Sequence, residues 1–241
     1  MSKREVKMRI FDEFKKIRGL GAYPILVILI LISVCFQGVL GLGAEIADYK
    51  YFVTTFGLFC RLFLSVSIGL LISLSFYSEY NRKGYLNVIL NGQSFAKLLL
   101  NKLIFFYTFM LIYLLFALSV SLGFQVFKGS ELSLFYKELL ISFTYLFITT
   151  ILLVNIHMFL CMIFSKKPMI SLLISILCSF LNVFIVTTSF WILFPWSYPT
   201  RILYFTSLDK MDFLIITLVT LISFVLIFYY IYIYTRKKKL I

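Results

Sequence analysis

Residues 79–102, EYNRKGYLNVILNGQSFAKLLLNK, form the only long polar insert on the basic side of an otherwise apolar chain. The insert begins at Glu79 and holds a short apolar group between Gly84 and Gly92. Its bases are Arg82, Lys83, Lys97 and Lys102. This pattern predicts a short helix between two turns, lying along a membrane surface where a soluble partner can bind it. The apolar segments on either side of the insert then set the fold.

The composition predicts an all-α polytopic membrane protein with a single transmembrane domain over residues 1–241. Of the 241 residues 62% are hydrophobic and 14% are charged, which exceeds what the core of a soluble domain needs. A net charge of +13 is compatible with nucleic-acid binding, but that function requires a soluble basic face, and the sequence provides none. Because the bases lie beside apolar runs, we expect them to orient the chain and contact anionic membrane lipids, with no nucleic-acid partner.

Six apolar runs are each long enough for the roughly 20 residues that a bilayer requires. They are residues 25–43, 51–77, 98–123, 139–164, 169–194 and 213–234. An even number of spans places both termini on one side, and that side holds 17 of the 23 Lys and Arg residues. Positive charge is enriched in cytoplasmic loops, so we expect a multi-pass protein of the cell membrane with both termini in the cytoplasm.

Two shorter elements flank these spans. Residues 2–20 carry seven bases, and their apolar residues Val6, Ile10, Phe14 and Ile17 recur every three or four positions, which predicts an amphipathic helix at the membrane interface. Residues 194–201, FPWSYPTR, contain one of the two tryptophans and two of the four prolines. We predict a short re-entrant or surface-lying element there, on the outer face before the last helix.

Small and polar residues follow one face of the second run and one face of the fifth. Such patterns allow close helix packing, interhelical hydrogen bonds or the lining of a wetted pathway, and the partner helix can belong to a second copy. The fifth run carries Ser171, Ser175, Ser179, Asn182 and Ser189. The residues predicted to line a pathway or a dimer interface are Ser65, Gly69, Ser73, Ser175, Ser179 and Asn182.

Single ionisable residues within the spans have two interpretations. Arg61 is expected near the outer boundary, where it either extends its charge towards water or serves a buried substrate or gating role. His157 either packs between helices or acts as a ligand. The four cysteines all lie in apolar runs without a Cys-x-x-Cys pattern, so we interpret them as buried thiols.

The sequence lacks the motifs of catalysis. It contains no Gly-x-x-x-x-Gly-Lys-Ser/Thr loop for ATP phosphates, no Gly-x-Ser-x-Gly nucleophile and no acid near the middle of an apolar run. We therefore predict no catalytic, cofactor-binding or metal-binding residues and no enzyme activity. Energy for any transport must come from another polypeptide, or the movement must be downhill.

The basic insert resembles a segment of the membrane subunit of type-2 ATP-binding-cassette (ABC) transporters. The matching residues are EYNRKGY at 79–85 and FAKLLLNKL at 95–103. The family has an acid at the inner end of span two, a glycine, a short coupling helix and a Gly-Lys or Asn-Lys pair that opens span three. As architecture, the resemblance covers essentially the whole chain.

The resemblance implies that two permease subunits, identical or paralogous, pair above two cytoplasmic ABC ATPase subunits that bind ATP and Mg²⁺. The coupling loop would be residues 79–97, its helix about 84–94, and Glu79 would pair with Arg82, Lys83 or Lys102. The implied coupling residues are Glu79, Arg82, Lys83, Gly84, Tyr85, Leu86, Ile89, Leu90, Asn91 and Gly92. Closure of the ATPase dimer would then tilt the spans around the pathway.

The expected function is that of a permease subunit of an ATP-driven exporter. Its small size is most similar to permeases that expel lantibiotics, bacteriocins or other amphipathic peptides, which leaves the substrate itself and the direction of transport open. The alternative is an ATP-independent secondary transporter or channel, which requires inverted repeats or broken helices near the membrane midplane.

Overall fold

A computed structural model describes residues 14–15, 18–19, 21–42, 47–81, 95–130, 136–204 and 208–238. Of these residues 92% are helical and none lies in a strand, which confirms the all-α class. The predicted coupling helix at about 84–94 and most of the predicted interface helix 2–20 lie outside the described residues.

Seven α-helices follow one another along the described chain. Two of them contain a π-helical turn: α1 consists of Ala22–Ile30, the π turn Leu31–Cys35 and Phe36–Leu42, and α2 consists of Asp48–Leu58, the π turn Phe59–Phe63 and Leu64–Asn81. The others are α3, Phe95–Lys128; α4, Tyr136–Ile163; α5, Met169–Ile185; α6, Tyr198–Leu203; and α7, Lys210–Lys238. Two 3₁₀ turns, Ser189–Leu193 and Pro195–Ser197, connect α5 to α6.

Five of the described helices, α1, α2, α3, α4 and α7, are long and apolar enough to cross a membrane. The architecture is that of a polytopic membrane protein, but its helix count differs from the predicted six spans. The predicted span 169–194 is α-helical only over Met169–Ile185, 17 residues or about 26 Å, against a hydrocarbon core of about 30 Å. The chain leaves this helix where Thr188 adopts an extended backbone and its hydroxyl accepts a hydrogen bond from the Phe190 N–H.

Helices α2, α3 and α7 extend past both ends of the apolar runs that predicted them. Helix α3 covers 34 residues, whereas the run covers 98–123, because its polar ends continue the helix beyond the apolar part. Its end is a Schellman motif. Gly129 has φ 79°, its N–H bonds to the Val126 carbonyl, and the Ser130 N–H bonds to the Gln125 carbonyl. Glycine suits this left-handed position because it has no Cβ.

Helices α2 and α4 form the centre of the bundle. In each of them 61% of the most apolar 18-residue window is buried, compared with 28% in α1 and 22% in α7. The exposed faces of α1 and α7 are apolar, as expected for helices that contact lipid. Helix α2 packs along α5 and α4, while α7 packs mainly on α4.

A buried tyrosine joins the first three helices. The Tyr113 hydroxyl of α3 donates to the Leu26 carbonyl of α1 at 3.0 Å and lies 2.8 Å from the Ser67 hydroxyl of α2. Because the tyrosine proton is used on Leu26, Ser67 must be the donor in the second bond. Both polar groups are thereby satisfied inside an apolar bundle.

Candidate functional site

A buried ion pair joins the end of α2 to the beginning of α3. The Lys102 Nζ lies 3.1 Å from a Glu79 carboxylate oxygen, donates to the Ser75 hydroxyl at 2.6 Å and lies 5.3 Å from the centre of the Phe76 ring. The Lys102 side chain has no exposed surface, whereas that of Glu79 is 14% exposed. Of the three bases predicted to pair with Glu79, the structure therefore shows Lys102 in this role. These three groups that contact the Lys102 ammonium all lie on α2.

This ion pair lies at the base of the predicted coupling helix. Helix α2 ends at Asn81 and α3 begins at Phe95, so segment 82–94 connects the two in sequence. The coupling residues predicted within it, Arg82, Lys83, Gly84, Tyr85, Leu86, Ile89, Leu90, Asn91 and Gly92, lie outside the described residues. Glu79 is the member of that set whose surroundings are described. The two helix ends that carry the segment are therefore fixed to each other by opposite charges.

The small faces of α2 and α5 pack against each other within one chain. A Cβ atom built at Gly69 would lie 2.6 Å from the Ser175 Cβ and 3.5 Å from the Leu172 Cα, so the two backbones approach closely only because residue 69 is glycine. The residues predicted to line a pathway or dimer interface are all buried along or beside this contact: Ser65, Gly69, Ser73, Ser175, Ser179 and Asn182. We call this contact the α2–α5 seam.

Serine hydroxyls along the seam bond to their own helices. Ser73 donates to the Gly69 carbonyl at 2.5 Å, Ser175 to the Leu172 carbonyl at 2.7 Å and Ser179 to the Ser175 carbonyl at 2.8 Å. These three serines therefore contribute small size to the seam, and not interhelical hydrogen bonds. Ser189, which the periodicity placed on the same face, is exposed because the helix has already ended.

Asn182 at the other end of the seam does bond between elements. Its Nδ2 donates to the Arg61 carbonyl at 3.0 Å and to the Thr200 hydroxyl at 3.3 Å. Arg61 lies in the π-helical turn of α2, where the usual i to i+4 ladder is interrupted and a carbonyl needs another donor. Asn182 therefore fixes α5 to the π turn of α2 and to α6.

His157 of α4 makes hydrogen bonds on both ring nitrogens. The Trp196 indole N–H donates to its Nε2 at 3.4 Å, and its Nδ1 lies 2.9 Å from the Ser171 hydroxyl. An indole can only donate, so Nε2 accepts, and the neutral ring carries its proton on Nδ1. The Ser171 hydroxyl then accepts from Nδ1 and donates to the His157 carbonyl at 3.3 Å. His157 is fully buried at the point where its own helix, α4, contacts α5 and the turn containing Trp196.

The segment from Pro195 to Leu203 runs along the inside of the bundle. Trp196 contacts His157, while the Leu203 carbonyl accepts a bond of 2.8 Å from Tyr49, whose hydroxyl also lies 3.3 Å from Ser142. His157 and Ser142 are 15 residues apart on α4, which corresponds to about 22 Å of helix. The hydroxyl of Tyr198 in this segment donates to the Ile192 carbonyl at 2.5 Å.

Two cavities lie between α4 and α7. One of about 610 Å³ is lined by Tyr145, Phe213 and neighbouring apolar residues, with Lys210 at its edge. The other, of about 290 Å³, is bounded by Asn155 and Ser223. There the Asn155 Nδ2 donates to the Ser223 hydroxyl at 3.0 Å, and the Tyr107 hydroxyl donates to the Asn155 Oδ1. These bonds join α3, α4 and α7.

The described residues contain no group of three or more His, Cys, Asp or Glu side chains that could hold a metal ion. The four cysteines are free thiols: Cys60 and Cys161 are buried, while Cys35 and Cys178 are partly exposed. The buried-thiol interpretation therefore describes two of them fully and the other two in part.

Three features were not predicted from the sequence: the π turns, the Tyr107–Asn155–Ser223 chain of bonds, and the contact between Trp196 and His157. A tyrosine or asparagine deep in an apolar run is a usable signal for a buried hydrogen bond, because its polar end needs a partner. The π turns have no corresponding signal, because the apolar pattern continues through them.

No protein-family model matches the chain, and no curated protein or solved structure is significantly similar to it. The class that the fold defines is a polytopic helical membrane protein.

Proposed function

We propose that the chain is the permease subunit of a type-2 ABC exporter. A pair of such subunits, identical or paralogous, would form the translocation pathway in the cell membrane, with both termini in the cytoplasm. Separate cytoplasmic ATPase subunits would bind ATP and Mg²⁺ and would contact the permease through segment 82–94. The proposed substrate class is an amphipathic or antimicrobial peptide or another hydrophobic compound, by analogy with small permeases of this kind.

The observation that carries the proposal is the buried Lys102–Glu79 pair. Segment 82–94 is basic and is held between two helix ends that this pair connects at 3.1 Å. A force applied to the segment by a soluble partner would therefore move α2 and α3 together, and would not simply fray one helix end. A rigid attachment of this kind is what conversion of ATPase closure into helix tilt requires.

The α2–α5 seam supports a route from that attachment into the bundle. Glu79 and Gly69 lie on the same helix, and because Gly69 has no side chain, α2 packs directly against Ser175 of α5. A tilt of α2 is therefore expected to displace α5, and with it the Pro195–Leu203 segment that Asn182 fixes to both helices. In a dimer, this movement would open or close the path between the two copies.

Co-purification tests the proposal. We expect the tagged chain, purified from its native cells, to retain a cytoplasmic ATPase, and the R82E/K83E double variant to lose at least tenfold of it. The matched control is K166E/K167E, which reverses two exposed lysines in the connection between α4 and α5. Equal ATPase retention by wild type and R82E/K83E would contradict binding through segment 82–94.

One observation favours a second candidate, an ATP-independent secondary transporter. Helix α5 ends after 17 residues and is followed by 3₁₀ turns and the six-residue α6, packed inside the bundle. Interrupted helices within a bundle form the substrate and ion sites of many secondary transporters. Substrate uptake by liposomes that contain the purified chain alone, driven by an ion gradient and without ATPase, would select this candidate over the permease.

A further inference from the structure

Two arginines on neighbouring segments have no acidic partner among the described residues. Arg61 lies in the π turn of α2 and Arg201 lies in α6. Neither takes part in the ion pairs that the described residues form with one another. In each arginine the Nε atom is buried and donates no hydrogen bond. A desolvated donor on a cation is costly when unpaired, so this arrangement suits an acceptor supplied from outside the chain.

The segments that carry these arginines are connected by one side chain. The Asn182 Nδ2 lies 3.0 Å from the Arg61 carbonyl oxygen and 3.3 Å from the hydroxyl of Thr200, the residue before Arg201. Asn182 is 1% exposed, and its Oδ1 also lacks a hydrogen-bond partner. The backbones of the two arginine-bearing segments are therefore held at a fixed separation, as a built binding site requires.

The guanidinium group of Arg201 is supported by an aromatic ring. Its Cζ lies 5.1 Å from the centre of the Trp191 ring, and Trp191 is itself 6% exposed and packed edge-on against Tyr198. Stacking on a ring restrains the face of a guanidinium and leaves its N–H edge available for an oxyanion. Both arginines are partly exposed, so a ligand can contact part of each side chain.

Arg61 lies a short distance below the outer phosphate level of a bilayer. If the inner hydrocarbon boundary is near Tyr77, Arg61 is 16 residues or about 24 Å away, against a core of about 30 Å. An arginine side chain can extend across the remaining distance to the headgroups. Thr200, the residue before Arg201, accepts from the same Asn182 amide as the Arg61 carbonyl. Both cations therefore lie at the same level of the bundle.

We propose that Arg61 and Arg201 form one binding site for an oxyanion at the outer membrane surface, with Asn182 and Trp191 positioning them. The ligand class is a phosphate ester, and the lipid headgroup of an anionic phospholipid is the source that the depth favours. A soluble phosphate ester has the same chemistry and is the other possible source. The site does not depend on the permease proposal, since its residues are remote from segment 82–94.

The test uses the full chain in lipid nanodiscs and spin-labelled phosphatidylglycerol and phosphatidylcholine. We expect wild type to prefer phosphatidylglycerol, and R61Q or R201Q to reduce that preference about tenfold each, since each variant loses a charge-assisted hydrogen bond. The R61Q/R201Q variant is expected to lose less than the product of the single effects, because both residues bind one phosphate. The control, K137Q, removes an exposed lysine near the beginning of α4 and should change the preference less than twofold.

Further outcomes show whether the bound phosphate ester comes from a lipid or from solution, and which results would contradict the site. In phosphatidylcholine nanodiscs, glycerol phosphate should raise the melting temperature of wild type, but not of R61Q/R201Q, if the site accepts a soluble ester; no rise in wild type, with the lipid preference intact, assigns the site to lipid. Unchanged phosphatidylglycerol preference in a folded R61Q/R201Q variant would overturn the site. Additive losses in the double variant would contradict a single shared anion.

Discussion

Two charged regions of α2, around Glu79 and around Arg61, have different surroundings in the fold. Near its end, Glu79 forms an ion pair with the fully buried Lys102 of α3. Near its middle, Arg61 is held through its backbone carbonyl by Asn182, while its Nε has no acceptor. The same helix therefore has one charge that is compensated by the chain and one that is not.

This difference separates a charge that holds the structure from a charge that is available to a ligand. A buried cation with a carboxylate partner contributes to the native arrangement, and its loss should be seen in stability. A partly exposed arginine without such a partner contributes little to stability, and its loss should be seen in binding. The predictions below test this division, in order of decreasing effect on the free energy of unfolding.

The largest effect is expected for Glu79→Ala. The variant removes the carboxylate partner of the fully buried Lys102, and breaking a buried pair in this way costs about 3–5 kcal/mol. Lys102→Met leaves Glu79, which is 14% exposed and can reach water, so we expect a smaller loss of about 1–3 kcal/mol. Unfolding of bicelle-reconstituted protein by sodium dodecyl sulfate measures both.

The double variant E79L/K102M sharpens the test. Replacing both charges by apolar side chains of similar volume removes the desolvation cost as well as the attraction, so its stability should return to within about 1 kcal/mol of wild type. If Glu79→Ala unfolds no more readily than wild type, the ion pair does not stabilise the contact between α2 and α3. The proposed difference between Glu79 and Arg61 would then be wrong.

The next effect is expected at the seam between the two charged regions. In Gly69→Ala the new methyl group would lie 2.6 Å from the Ser175 Cβ, so α2 and α5 must separate, and we expect a loss of about 1–3 kcal/mol. Gly69→Ala combined with Ser175→Gly should recover part of this loss, because it removes the opposing side-chain atoms.

Gly57→Ala is the matched control for this substitution. Gly57 lies on the same helix, and a Cβ there meets no atom within 4 Å. Alanine is a better helix former than glycine by about 1 kcal/mol, so this variant should be as stable as wild type or slightly more so. Equal losses in both variants would show that α2 is sensitive to any added methyl group, and not to the seam.

The seam also shows how far the sequence predicts the structure. Periodicity identified the small face of α2 at Gly69 and the polar face of α5 at Ser175. A sequence repeat identifies a helix face, however, and not the helix that packs against it. Hydropathy found every long helix, yet it extended the fifth run to residue 194, although α5 ends at Ile185. The residues beyond Ile185 remain apolar whether they are buried, as Val186 and Trp191 are, or exposed, as Leu193 is, so composition cannot separate them from the helix.

The interactions of the charged residues were easier to predict than their burial. The resemblance to the permease family implied an ion pair for Glu79, with three candidate bases. The complete burial of Lys102 has no sequence signal, because its position at the start of an apolar run is equally typical of an exposed interfacial lysine. The contact between Trp196 and His157 was also hidden, since 39 residues separate them and it depends on how the chain returns into the bundle.

A smaller effect is expected for Asn182→Ala. It removes two hydrogen bonds between elements, and such bonds in helical membrane proteins average about 0.6 kcal/mol each, so we expect a loss of about 1 kcal/mol. Thr200→Val removes only the second bond and should lose about half as much. If the two variants lose equal stability, the bond to the Arg61 carbonyl contributes nothing, and α5 is not fixed to the π turn.

The smallest effect on stability is expected for Arg61→Gln, and it completes the comparison with Glu79. The main-chain bond from Asn182 is retained, and no ion pair is lost among the described residues, so the free energy of unfolding in neutral lipid should change by less than about 0.5 kcal/mol. In bicelles that contain phosphatidylglycerol, wild type should gain stability over the variant, because a ligand that binds only the folded state stabilises it. A large loss of stability in neutral lipid would instead mean that another group of the chain compensates the charge of Arg61, as Glu79 compensates that of Lys102. The proposed difference between the Arg61 and Glu79 regions of α2 would then be wrong.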